Sequence, residues 1–158
     1  MRIKAGCRQV RSSYSMPQAH PPLVEISPTA GSAVEPARPT ILVVDDDPDL
    51  LAALRFSLEA DGYRVRDFAS AEAMLASDEG SDSAACLVID YVLPRANGLD
   101  LIRTLRQRGV GAPTILITTH PSVWVRELTA KLDVRIVEKP LLGGMLVQAV
   151  REEVARRG

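Results

Sequence analysis

The sequence predicts an α/β domain: a doubly wound parallel sheet of five strands with helices on both faces. Three observations predict it. Short continuous apolar runs, each the length of a buried strand, recur between residues 40 and 158. Segments with helical spacing separate them, so strand and helix alternate five times, the order of parallel units joined by right-handed crossovers. Several runs end on charged residues, as strands do whose carboxyl ends open on a ligand crevice.

Ile41 to Val44 is the first strand. Asp47-Pro48 then supplies a helix cap with proline at the first helical position. Leu51, Leu54 and Leu58 fall at i, i+3 and i+7, and Gly62 marks the stop. Tyr63 to Phe68 reads as a short strand with Tyr63 and Val65 on one side, and Ser70 caps a brief helix to about Ala76. Residues 77–83 form a polar loop before the strand Ala85 to Ile89. Asn97-Gly98 turns into a third helix whose N-terminal dipole Asp100 complements. Leu99, Ile102 and Leu105 line one face of that helix, which Gly109 and Gly111 terminate. Pro113 introduces the strand Thr114 to Thr118, and a weaker helix runs from about Ser122 to Leu132. Val134 to Val137 is the last strand. Leu142, Leu146, Ala149 and Val150 give the final helix its apolar stripe, and Arg151, Arg156 and Arg157 are expected to offset its C-terminal dipole and stay solvated.

Residues 1–39 differ in kind. They hold six of the eleven prolines and no sustained period, a composition that cannot offset the entropy of ordering, so a disordered extension is expected before a domain at 40–158. The extension carries five basic residues against Glu25 and Glu35, a balance of +3, so the net −1 of the chain puts −4 on the domain. With 46% hydrophobic and 25% charged residues, the chain has the balance of a soluble protein. The low net charge gives no electrostatic case for nucleic acid or membrane. No apolar stretch approaches the roughly 20 residues of a membrane span, and no apolar core follows the basic N-terminus as in a secretory leader. Cys7 and Cys86 are too few for a disulfide framework and are expected to be free thiols in a reducing cytoplasm. Little sequence follows the last helix, so no folded output domain, such as a helix-turn-helix reader of DNA, is expected.

The charges at the strand ends carry the functional argument. Asp45, Asp46 and Asp47 follow the first strand, Asp90 closes the third, and Lys139-Pro140 follows the last. A parallel sheet brings these residues to one edge, where clustered carboxylates favour a divalent cation and a lysine suits a phosphate. Taken alone, an aspartate ending a strand can equally be a turn former or a cap, and capping is the better reading of Asp47.

Ile41 to Asp49, Val88 to Asp100, Ile117-Thr118 and Glu138-Lys139-Pro140 together resemble the receiver domain of two-component response regulators, over residues 40 to about 156. The resemblance implies a flavodoxin-like fold with strand order 2-1-3-4-5 and five helices. Asp90 falls on the phosphoacceptor position. Asp45 and Asp46 fall on the acidic pair that binds Mg²⁺, together with Asp90 and the backbone carbonyl of Val92. Thr118 and Lys139 match the residues that contact the phosphoryl oxygens, and Pro140 matches a proline whose preceding peptide bond is commonly cis. The implied donor is a histidine kinase or histidine phosphotransfer protein, and the implied output is a phosphorylation-dependent protein contact through the fourth helix, last strand and last helix. Regulators of this type can also dimerise, or shuttle and absorb phosphate.

Three positions depart from the family's pattern. Thr119 stands where receivers mostly carry alanine or a smaller residue, and His120 stands at a position that tunes the lifetime of the aspartyl phosphate. Ile136 replaces the aromatic residue that usually rotates between exposed and buried states, so signalling by such a rotamer is not expected. Trp124, the only tryptophan, suits either ordinary packing or the partner face, since aromatics are enriched at binding hot spots. Two other classes compete. An interaction module would keep the fold without productive phosphorylation. A hydrolase of the haloacid dehalogenase type is similar in its use of Mg²⁺ and a strand-end aspartate, but Asp45 to Asp49 lacks the threonine or valine of its pattern.

Overall fold

The computed structural model describes residues 37–77 and 83–157. The expected disorder of the N-terminal extension, the thiol of Cys7 and most of the polar loop at 77–83 lie outside them, as does the side chain of Arg157. Five strands, β1 (Thr40–Val44), β2 (Arg64–Phe68), β3 (Cys86–Asp90), β6 (Thr114–Thr118) and β7 (Val134–Glu138), form one sheet. All neighbours are parallel, in the order β2-β1-β3-β6-β7. Counted as sheet strands along the chain, that is the flavodoxin-like order 2-1-3-4-5. The helices are α1 (Pro48–Ala60), α2 (Ala71–Ala76), α3 (Gly98–Gln107), α4 (Val123–Lys131) and α5 (Met145–Arg157).

The apolar runs form strands because both faces of the sheet are covered. Leu42, Val44, Leu87, Ile89 and Leu116 point to one side, into a core with Met74, Ile102, Leu105 and Val125. Ile41, Val43, Val88, Ile115 and Ile117 point to the other, against Leu51, Leu54, Leu58, Leu146 and Val150. Each fully buried aliphatic side chain contributes about 1.5–3 kcal/mol, and every residue of β3 and β6 is buried. These two interior strands carry Asp90 and Thr118 at their ends.

Local signals set the helix ends. Asp47 caps α1 by accepting from the amides of Asp49 and Leu50. Gly62, at φ +94°, turns the chain out of α1 in the left-handed region, and the amide of Tyr63 returns to the Leu58 carbonyl. Ser70, Asn97 and Ser122 cap α2, α3 and α4 through their side chains.

Three details differ from expectation. A small antiparallel hairpin, β4 (Val92–Leu93) and β5 (Ala96–Asn97), folds the segment between β3 and α3, with Arg95 at φ +60° in its turn. The last helix begins only at Met145, because Gly143 and Gly144 take positive φ, so Leu142 is exposed outside it and not part of its stripe. Arg151 and Arg156 are not merely solvated: Arg151 makes a two-pronged ion pair with Asp61 beyond α1, and Arg156 pairs with Asp133 and Glu153.

Candidate functional site

The strand order reverses between β1 and β3, since β2 lies on one side of β1 and β6 on the far side of β3. Crevices for ligands open at such a switch point, beyond the carboxyl ends of the strands. Asp45 follows β1 directly, and Asp90 is the last residue of β3. Thr118 ends β6 and pairs in register with Glu138, so Lys139 emerges from β7 beside it, its amide donating to the Thr118 carbonyl at 2.8 Å. Residues from four parts of the chain thus reach one rim.

Asp45, Asp90 and Thr118 are buried there, at 1%, 5% and 3% exposure, while Asp46 is open to solvent. The Lys139 ammonium lies 2.9 Å from Asp90 Oδ1 and 3.2 Å from Asp45 Oδ2. Backbone amides hold the remaining carboxylate oxygens: Asp47 donates to Asp45 Oδ1 at 2.9 Å, and Val92 to Asp90 Oδ2 at 3.2 Å. Oxygens of Asp45, Asp46 and Asp90 lie within 4.8 Å of one another.

One ammonium cannot neutralise three carboxylates. Burial pushes the Asp90 carboxyl above the ordinary range against the hydrogen bond from Lys139, and the Asp45 charge raises it further. For Lys139, burial opposes its charge, but the hydrogen bonds and charges of Asp90 and Asp45 outweigh that and raise its pKa. The site keeps an excess of negative charge on hard oxygen donors, and this donor set fits a divalent cation such as Mg²⁺.

Asp45, Asp46, Asp90 and Lys139 are therefore brought together, Thr118 ends the neighbouring strand, and Asp47 is the helix cap expected of it. Val92 is 68% exposed at the mouth. Thr119 and His120 are exposed in the loop after β6, with His120 at φ +50°. Ile136 packs half-buried against the core under α4. Trp124 takes the exposed alternative, at 57%, with Val123 beside it. The peptide bond between Lys139 and Pro140 is cis. Gly98 reads in the sequence only as part of a turn. A Cβ there would lie 2.3 Å from the Asp90 carbonyl oxygen, a proximity that no local sequence pattern announces.

Comparison with known proteins identifies the family. Residues 41–151 match the family model described as response regulator receiver domain. The transcriptional regulatory protein FixJ of Azorhizobium caulinodans is 33% identical over 115 residues, which cover 72% of this chain and 54% of that protein. The response regulator protein TmoT of Ectopseudomonas mendocina is 39% identical over 83 residues, 52% of this chain and 37% of that one. The chain spans about half the length, or less, of these curated relatives. Among solved structures, a response regulator receiver protein of Pseudoalteromonas atlantica matches with a TM-score of 0.68 and 27% identity, over 76% of this chain and 100% of that one. A CheY-like receiver domain protein of Methanospirillum hungatei matches with a TM-score of 0.68 and 24% identity, over 76% and 96% of the two chains, and shares the fold.

Proposed function

Since the chain belongs to the response regulator receiver family, we propose that it serves phosphorelay signalling by accepting a phosphoryl group on Asp90. Receiver domains are signalling modules rather than enzymes with a separate substrate. The observation that carries the reading is the Lys139 ammonium held between the buried carboxylates of Asp90 and Asp45.

The chemistry follows from these groups. A carboxylate oxygen of Asp90 attacks the phosphorus of a phosphohistidine, forming a P–O bond as the P–N bond breaks. The imidazole leaves with the electron pair, and Asp90 becomes an acyl phosphate. The transition state is loose, with charge spread over three equatorial oxygens. Lys139 leaves its pairing with Asp90 to meet that charge, and the Thr118 hydroxyl donates to one oxygen. Asp45, Asp46, Asp90 and the Val92 carbonyl would hold a Mg²⁺ ion, which supplies further neutralisation of the transferring group. The signal ends when water attacks the phosphorus, releasing phosphate and restoring the Asp90 carboxylate.

The proposed donor is a histidine kinase or a histidine phosphotransfer protein in the cytoplasm. No helix among the described residues is long and apolar enough to cross a membrane. The output is a protein contact made by the receiver domain itself, through α4, β7 and α5, where Trp124 and Met145 are 57% and 54% exposed. A homodimer through the same elements is one form such a contact takes.

Incubation with acetyl phosphate and Mg²⁺ tests the reading. Wild type gains the mass of one phosphoryl group and Asp90→Asn gains none; equal labelling of both, or of neither, overturns it.

A further inference from the structure

We infer that Gly98 is a positioning residue for the Asp90 carboxylate, setting by its lack of a side chain how far the end of β3 reaches into the site. The inference rests on the reading of Asp90 as the phosphoryl acceptor.

Asp90 ends β3 and Gly98 begins α3, and the segment between them folds back as the β4–β5 hairpin. Both ends of that loop are pinned. The Tyr91 amide donates to the Ile117 carbonyl at 2.8 Å, and the Gly98 amide donates to the Tyr91 carbonyl at 2.8 Å. The start of α3 therefore lies directly against the backbone of the acceptor residue. A Cβ on Gly98 would stand 2.3 Å from the Asp90 carbonyl oxygen, 3.1 Å from its carbonyl carbon and 3.0 Å from Leu116 Cδ1. Gly98 does not occupy the left-handed region, unlike Gly62 and Gly109. What demands glycine here is space.

The neighbouring atoms are hard to move. Two of the three belong to the backbone of β3, and the third to a buried leucine of β6 whose register partner is Ile89. A comfortable C···O approach is about 3.3 Å, so a methyl group would force Asp90 and the start of α3 apart by about 1 Å. Asp90 Oδ1 lies 2.9 Å from Lys139 Nζ and Oδ2 lies 3.2 Å from the Val92 amide. Neither bond survives such a shift unchanged. Misplacement by about 1 Å costs a reaction of this kind about 10²-fold.

The test compares Gly98→Ala with Asn97→Ala. The second variant removes the α3 cap, in which Asn97 Oδ1 accepts the Asp100 amide at 2.9 Å, and so loosens the same turn without adding an atom. Phosphorylation by acetyl phosphate is timed with Mg²⁺ and corrected for the folded fraction. Gly98→Ala is expected to be slower by about 10²-fold and to bind Mg²⁺ more weakly in an NMR titration, while Asn97→Ala stays close to wild type. Equal rates and equal Mg²⁺ affinity in Gly98→Ala and wild type overturn the inference, as does an equal loss in both variants. If Gly98→Ala does not fold, amide exchange in the wild type decides. The Gly98 amide gains protection when beryllofluoride and Mg²⁺ load Asp90, and unchanged exchange overturns the coupling. A wild type that never carries phosphate on Asp90 instead sinks the acceptor reading itself.

Discussion

The Lys139 ammonium lies 2.9 Å from Asp90 Oδ1, joining the end of β7 to the end of β3 at one rim of the sheet. In the proposed transfer this single cation would serve two roles in turn: it neutralises a buried carboxylate beforehand and would meet phosphoryl oxygens as they arrive.

Lys139→Ala removes both roles. Losing one preorganised charge at a transferring group costs about 10²–10³-fold in rate, so phosphorylation by acetyl phosphate is expected to fall by that factor. Without the opposing cation, the Asp90 carboxyl also titrates higher than in wild type, which ¹³C NMR of the labelled carboxylate reads directly.

Asp90→Asn should stabilise the metal-free protein. Burial raises the Asp90 pKa in the folded state, so the fold binds a proton that the unfolded chain has released. Wild-type stability therefore declines as pH rises from the ordinary carboxylate value to the raised one, and the deficit persists above it. Thermal melts in EDTA are expected to place Asp90→Asn a few degrees above wild type at neutral pH. The two should converge in acid, where Asp90 is protonated in both states.

The adjacent aspartates separate structure from chemistry. Asp47 caps α1, so Asp47→Ala should cost about 1 kcal/mol of stability. Asp46 is exposed at the rim, and Asp46→Ala should weaken Mg²⁺ binding by at least about tenfold with little change in the melt. Calorimetry and a Mg²⁺ titration on both variants check the contrast; the reverse assignment would mean that the rim does not hold the ion through Asp46.

Cys86 should be inert in the folded protein. Burial pushes its thiol up to about 12, with the Glu153 charge adding to the rise, so on the order of 10⁻⁴ of it is thiolate at pH 8. Iodoacetamide followed by peptide mapping is expected to leave Cys86 unmodified until urea unfolds the chain.

The strands and the gathered charges were legible because a buried parallel strand writes its whole length as an apolar run and ends where the charge begins, as at Val44-Asp45 and Ile89-Asp90. Caps such as Asp47-Pro48 and Ser70 were legible because they act within one turn. What escaped depends on contacts distant in the chain or on elements too short to show a period. The two-residue strands of the β4–β5 hairpin leave no alternation to detect. Leu142 sits at helical spacing from Leu146, but Gly143 and Gly144 at φ +59° and +75° delay the helix past it. Arg151 looks like a C-terminal helix cation until Asp61, 90 residues away, is brought beside it. Gly98 reads as an ordinary turn glycine until α3 is laid against β3.

Location of the acyl phosphate tests the central claim most directly. The phosphorylated chain is reduced with borohydride, which converts only an acyl-phosphate carbon to an alcohol, and its peptides are sequenced by mass spectrometry. Conversion confined to Asp90 is the expected result. Conversion at Asp45 or Asp46, or a phosphoryl group carried elsewhere with Asp90 intact, would contradict it.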